Sequence, residues 1–124
     1  MPTTDLKERT KSFALRVLNL VDALPKTDKG RAIARQIVKS GTSVGANYRA
    51  ACRARSKAEF VSKVGTVVEE ADETAFWLEL IIDASILSKK RTFALWQEAN
   101  ELVAIMTTSR KTAELSIKQR VPDR

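Results

Sequence analysis

The sequence of 124 residues lacks histidine and contains one cysteine, Cys52. Without His, the pairing of a nucleophile with a neighbouring base that acyl transfer requires has nothing to work with. A lone cysteine cannot form an internal disulfide, and no apolar leader follows Met1, so we expect a reducing cytoplasm. No uncharged run approaches the roughly 18 residues of a membrane span, so we expect a soluble chain. The sequence therefore predicts a cytoplasmic, non-enzymatic protein with no cofactor and no membrane partner.

Residues that interrupt helices are also scarce, with three Pro and four Gly in the whole chain. Apolar residues recur at helical spacing on both sides of Pro25, and Asp5 and Ser56 each precede a Glu three positions later, which is typical of a helix start. The predicted helices span about residues 5–24, 28–54, 56–87 and 92–118. Such short connections favour antiparallel neighbours. We therefore predict an all-α single domain, residues 1–124, folded as an up-down-up-down four-helix bundle.

The second predicted helix has a thin packing face and an opposite basic face. Its packing face contains Gly41, Val44, Gly45 and Tyr48. Each glycine inside a helix costs roughly 1 kcal/mol relative to alanine, so we expect neighbouring helices to approach closely there. Five cations share an arc of roughly 80° on the other side. We call these the basic ridge: Arg31, Arg35, Lys39, Arg49 and Arg53.

The basic ridge and the net charge of +7 favour an anionic partner. We predict that the ridge contacts the backbone of RNA or DNA. No aromatic residues are interleaved with its cations, so sequence-specific reading of single strands is not predicted. The alternative is a solvated charged face without a ligand.

The third predicted helix has two apolar sides. Its predicted core stripe contains Phe60, Val64, Val67, Val68, Ala71, Ala75, Leu78 and Ile82. A second group lies outside that stripe and would be exposed in a monomer, so it predicts an oligomer interface. This group consists of Glu69, Glu73, Phe76, Trp77, Leu80 and Leu87. A closed ring could pair this acidic and apolar face with the basic second helix of the next subunit. The alternative is that both faces stay solvated and the two helices pair within one protomer.

Four segments carry a resemblance to a known family: residues 40–49 (SGTSVGANYR), 53–56 (RARS), 70–74 (EADET) and 77–80 (WLEL). They resemble the four-helix-bundle proteins encoded in intervening sequences of bacterial large-subunit ribosomal RNA genes. That family is similar to the accessory variability determinant protein of diversity-generating retroelements. The resemblance implies a homopentameric barrel with a basic surface that binds RNA or DNA, and a reverse transcriptase as partner in the retroelement relatives. This chain has Ala50 where many members carry Glu.

Asn47 is the polar position that matches the family, and it belongs to the predicted packing face. A polar side chain inside a helix bundle should be buried and hydrogen-bonded, so we expect partners on a neighbouring helix. The acidic residues of the third helix do not predict a metal site, since bundles build such sites from Glu and His that face inward. Two functional classes remain. One is a nucleic-acid-binding homo-oligomer of low sequence specificity, and the other is an assembly module whose charges serve only protein contacts.

Overall fold

The computed structural model describes residues 5–120, and the predicted all-α class is confirmed for this range. Its four helices are α1 (Leu6–Asp22), α2 (Asp28–Cys52), α3 (Lys57–Asp83) and α4 (Lys89–Arg120). Consecutive helices pack against each other, and α4 returns to α1 through the smallest interface. The helices differ in length, and α1, with 17 residues, is the shortest.

Side chains cap the helices where the sequence signals a start. The carboxylate of Asp5 accepts hydrogen bonds from the backbone N–H groups of Lys7 and Glu8, at 3.0 and 3.4 Å. At the start of α3, the Ser56 hydroxyl accepts a hydrogen bond from the backbone N–H of Glu59 at 3.0 Å. The first N–H groups of a helix have no partner within the helix, so these caps fix where the helix begins.

The end of α3 differs from the prediction. The helix ends at Asp83 rather than at about Leu87, because Ser85 adopts a left-handed conformation with φ of 56°. The backbone N–H of Ile86 then donates to the carbonyl of Ile81 at 2.9 Å. This is the Schellman arrangement that terminates many helices, usually with glycine at the left-handed position. The other helix ends lie within three residues of the predicted ones.

Contacts between residues of adjacent helices show that α1 and α2, and likewise α3 and α4, run antiparallel. On α2, Gly41 lies against Val17 of α1, whereas Gly45, further along α2, lies against Thr10, which is earlier in α1. The same reversal relates α3 to α4. The Trp96 indole N–H donates to Glu79 at 3.0 Å, and the Lys57 ammonium bonds to the Ser116 hydroxyl.

The buried stripe of α3 also differs from the prediction at its end. Ile81 is fully buried, whereas the predicted Ile82 is only half-buried. The stripe passes through Thr74, which turns this side of α3 toward α2, where Thr74 Oγ1 lies 2.8 Å from the buried Ser40 Oγ. A sequence pattern does not show which side of the stripe a neighbouring helix covers.

A cluster of charged side chains joins α1 to α4. The Arg9 guanidinium donates to both carboxylate oxygens of Glu98, at 2.7 and 2.8 Å, and to Glu101 at 2.7 Å. The side chains of Arg9 and Glu98 are largely shielded from water, with 29% and 15% exposure. Bidentate Arg–carboxylate pairs fix the relative orientation of the two side chains better than single hydrogen bonds do. This cluster therefore sets the position of α1 on α4.

Candidate nucleic-acid interface

The packing side of α2 determines which way the basic ridge points. A Cβ atom at Gly41 would lie 2.8 and 2.9 Å from the two methyl groups of Val17, and one at Gly45 would lie 3.3 Å from the carbonyl oxygen of Thr10. A side chain at Gly41 would therefore clash with Val17, and one at Gly45 would press against the α1 backbone, so glycine allows α1 and α2 to pack closely. Val44 is fully buried on the same side. Because this side is held against α1 and the core, the opposite side faces outward.

All five cations of the basic ridge are exposed. Four lie on α2, and Arg53 is the residue that caps its end. At a rise of about 1.5 Å per residue, Arg31 and Arg49 are separated by roughly 27 Å along the helix. The ridge is therefore a row of positive charge along a rigid element.

The ridge divides into two groups, because its middle carries no charge. Thr42 and Ala46 occupy the positions between Lys39 and Arg49. The Thr42 hydroxyl donates to the carbonyl of Val38 at 2.7 Å, so its proton is used within the helix. A rise of about 1.5 Å per residue places the two charged groups roughly 15 Å apart.

The ridge cations have little competition from acidic side chains. Arg31 approaches Asp28 at 3.6 Å, but both side chains are more than half exposed. Exposed pairs of this kind contribute about 0–1 kcal/mol. Within residues 5–120, no carboxylate lies within 4.0 Å of Arg35, Arg49 or Arg53. Lys39 is the exception, because its charge acts on the Glu70 carboxylate of α3. The rest of the ridge is available to an external anion.

Asn47 differs from its expected role. It is half-buried, and its side-chain N–H donates to the carbonyl of Ser43, at 2.9 Å, on its own helix rather than on a neighbour. The carbonyl four residues earlier is within reach of an asparagine in a helix, so the amide is satisfied locally. Ala50, half-buried one turn later, places no carboxylate beside it.

Tyr48 lies half-buried beside the core and close to Cys52. Burial, followed by the neighbouring Cys52 and Asp5, raises the pKa of Tyr48 to about 12. The phenol is therefore neutral at physiological pH and adds no negative charge next to the ridge.

The outer face of α3 is acidic and partly apolar. Glu69 and Glu73 are exposed, and the indole N–H of Trp77 donates to Glu73 at 3.1 Å. Phe76 is 50% exposed and meets Trp77 edge to face, with ring centroids 5.1 Å apart. Leu80 is half-buried. The face thus presents one large apolar side chain, flanked by carboxylates.

Two members of the predicted interface lie partly inside the protomer. Leu87 belongs to the connection between α3 and α4 rather than to α3, and both it and Trp77 pack against the core. Phe93, which the sequence pattern did not single out, is 36% exposed and stacks on Trp96 at 5.4 Å. A self-association surface here remains a prediction, with Phe76 as its most exposed aromatic group.

Sequence reasoning missed a concave site at the end of the ridge. An open pocket of about 440 Å³ lies where α2 ends, α3 begins and the last part of α4 passes by. Arg55, Lys57, Phe60 and Ala113 are among its lining residues. We call it the end pocket. Ala113 and Phe60 are far apart in sequence, so only the packing of α4 on α3 brings them together.

Residues 5–120 contain no cluster of three or more His, Cys, Asp or Glu side chains placed to hold a metal ion. None of the four helices in that range combines the length and the hydrophobicity needed to cross a membrane.

Comparison with known proteins agrees with the fold and with the sequence resemblance. Residues 3–108 match the family model described as 23S rRNA-intervening sequence protein. A solved structure of a protein of unknown function from the S23 ribosomal protein family of Bacteroides thetaiotaomicron VPI-5482 is 33% identical in sequence. It superposes with a TM-score of 0.81 over 86% of this chain and 99% of that chain. Comparison with curated proteins finds no match. The match over residues 3–108 shows that the chain belongs to the 23S rRNA-intervening sequence protein family.

Proposed function

We propose that this protein is a non-enzymatic, nucleic-acid-binding homo-oligomer that contacts the RNA or DNA backbone through the basic ridge. One observation carries the proposal: a row of exposed cations on α2, most of them without an acidic partner within residues 5–120. The description of the family, which links its members to intervening sequences of 23S rRNA, supports RNA as the first ligand to test. The resemblance to retroelement accessory proteins adds a reverse transcriptase as a candidate partner.

The ridge is suited to phosphate contact because its backbone is held in place. Glycine-mediated packing on α1 fixes the opposite side of α2, so the cations are displayed from a rigid helix. Binding that neutralises phosphates releases counterions. The logarithm of the affinity then falls by roughly 0.7–0.9 per phosphate contact for each tenfold increase in salt concentration. Five contacts per protomer would give a slope of about −4 in a plot of log affinity against log salt concentration. The cations of the basic ridge are suited to phosphates rather than to base edges, so low sequence specificity is expected.

Self-association is assigned to the outer face of α3. Phe76 and Leu80 supply the apolar part of this surface, and Glu69 and Glu73 supply its charge. A ring that used α2 as the counter-surface would cover the basic ridge and compete with nucleic acid. We therefore assign the ridge to the ligand and the α3 face to the neighbouring subunit. Five subunits is the number that the family resemblance implies.

Charge reversal on the ridge tests the ligand. The triple variant Arg31→Glu, Arg35→Glu, Lys39→Glu is expected to lose roughly a hundredfold in RNA affinity at about 0.15 M salt, because it both removes and repels phosphate contacts. The measurement is fluorescence anisotropy with a short RNA and with a DNA of the same sequence. Circular dichroism and light scattering check that fold and assembly are unchanged.

A matched control separates the ridge from total charge. The variant Lys89→Glu, Lys90→Glu, Arg91→Glu changes the net charge equally, at exposed positions on another helix. It is expected to lose less than about fivefold in affinity, since it leaves the ridge intact. Equal losses in the two variants would show that only net charge matters. A parent protein that binds neither RNA nor DNA at low salt would leave the assembly module as the function.

Light scattering of the parent and of Phe76→Ser tests self-association. We expect an oligomer for the parent and smaller species for the variant, because a serine removes the most exposed aromatic group of the α3 face. A monomeric parent at micromolar concentration would contradict the assembly.

A further inference from the structure

The basic ridge leads directly into the end pocket. Its last member, Arg53, is the residue that caps α2. Arg55 follows in the connection to α3, and Lys57 is the first residue of α3. Arg55 and Lys57 both line the pocket and are both exposed. The positive charge therefore continues from the outer face of α2 to the mouth of a concave site.

The interior of the end pocket has a different chemistry from its mouth. Its walls include the half-buried ring of Phe60 at the start of α3, the buried Ala51 at the end of α2, and Ala113 from α4. The volume of about 440 Å³ is open to solvent rather than enclosed by protein. Its lining suits an occupant with an apolar, compact body and negative charge next to it.

The cations at the mouth are only weakly engaged. Arg55 Nε lies 4.0 Å from Glu59 Oε1, and the Arg55 side chain is 92% exposed. Lys57 bonds to the neutral Ser116 hydroxyl rather than to an acid. Both cations can therefore turn toward a phosphate.

We propose that the end pocket receives an unpaired base of single-stranded RNA or DNA whose backbone follows the ridge. The inference rests on the proposed function and names the form of nucleic acid that the same surface selects. A base stacks on an aromatic ring irrespective of its identity, and it carries phosphates on both sides. Arg55 and Lys57 line the pocket and are placed to contact these phosphates. The paired bases of a duplex cannot enter, so a duplex would contact the ridge alone.

An aromatic group lines the pocket, although none is interleaved with the ridge cations. Phe60 belongs to the predicted core stripe of α3, but it is half-buried and lines the pocket. It lies beyond the end of α2, so the spacing of cations along that helix could not reveal it.

Filling the pocket tests the proposal. Ala113→Leu places a larger apolar side chain in the pocket and remains compatible with a helix. It is expected to lower affinity for a short single-stranded RNA about tenfold, which is the order of one lost base stack, and to leave affinity for a duplex of the same sequence unchanged. Ala94→Leu, at an exposed position of the same helix, is the control and should change neither affinity.

A change in the ligand gives a second test. Replacing the bases of the single strand by abasic sites should weaken binding to the parent about tenfold and binding to Ala113→Leu hardly at all. Phe60→Leu, which keeps an apolar side chain but removes the ring, should reproduce the loss seen with Ala113→Leu. If Ala113→Leu fails to fold, the abasic strand and Phe60→Leu still test whether the pocket receives a base.

The outcomes separate this inference from the proposed function. Equal affinity of the parent for intact and abasic strands would overturn the pocket and leave the ridge standing. So would an equal loss of single-strand and duplex binding in Ala113→Leu. An acidic amphipathic peptide that binds the parent, but not Ala113→Leu, together with equal binding of intact and abasic strands, would reassign the pocket to a protein partner. A parent that binds no nucleic acid would overturn both proposals.

Discussion

The contact between Gly41 and Val17 allows a quantitative test of how closely α1 packs on α2. In Gly41→Ala, the new Cβ would lie 2.8 and 2.9 Å from the two methyl groups of Val17, closer than carbon atoms pack. Val17 is fully buried, and a valine in a helix has one strongly favoured rotamer, so its methyl groups cannot rotate away. Either the side chain is strained or the two helices move apart.

The magnitude follows from two opposing effects. Alanine gains about 1 kcal/mol over glycine in a helix interior. Overpacking of a tight core typically costs about 1–3 kcal/mol. We therefore expect Gly41→Ala to lower the free energy of unfolding by roughly 1 kcal/mol, against the helix propensity. In the double variant with Val17→Ala, the new methyl group occupies space that the valine has left, so the two changes should couple favourably by about 1–2 kcal/mol.

The assay is urea unfolding at one fixed protein concentration, because assembly would otherwise change the apparent stability. Gly65→Ala is the matched control. Its Cβ would lie 3.3 Å from Arg110 Cζ, at the far end of a flexible side chain that is 45% exposed. The arginine can give way, so this variant should gain up to about 1 kcal/mol from helix propensity.

Two results would refute the reasoning. One is a Gly41→Ala variant stabilised as much as Gly65→Ala. The other is strict additivity of Gly41→Ala with Val17→Ala, since additive effects are expected of sites that do not touch.

Three further variants test the α2–α3 contact, the end of α3 and its acidic face. Thr74→Val should cost about 1–2 kcal/mol in urea unfolding because it leaves Ser40 without this partner, and adding Ser40→Ala should restore part of the loss. Ser85→Gly should raise stability by about 1 kcal/mol in thermal melts, because glycine adopts the left-handed conformation without strain. Burial, with Glu73 nearby, raises the pKa of Glu70, so its ionisation opposes folding. Glu70→Gln should therefore stabilise the protein at pH 7, and the gain should vanish below about pH 4.

The parts of the fold that follow from local chemistry could be predicted. Asp5 and Ser56 cap helices through their own side chains, so the helix starts are encoded within a few residues. The end of α3 could not be predicted in this way. The apolar pattern runs on through Ile86, and a serine rather than a glycine takes the left-handed position. The burial of Ile81 in place of Ile82 depends on where α2 lies, which no local pattern states.

The same distinction between local chemistry and tertiary packing applies to the candidate site. The exposure of the basic ridge follows from the spacing of Arg31, Arg35 and Lys39 opposite the buried face, so the sequence alone places it outside. The end pocket requires the last turns of α4 to pass the start of α3, because Ala113 and Phe60 come from distant parts of the chain. That contact depends on the relative lengths of the helices and on their packing, which periodicity does not contain.

The shortness of α1 has a consequence for how the molecule opens. α1 has 17 residues against 27 in α3 and 32 in α4, and its hold on α4 centres on the charged cluster around Arg9. Cooperative units with fewer buried contacts open at lower free energy than the rest of a domain. The amide protons of α1 are therefore expected to exchange with solvent before those of α3 and α4. This local opening of α1 would expose the side of α2 that contains Gly41 and Gly45, while the basic ridge on the opposite side would keep its arrangement.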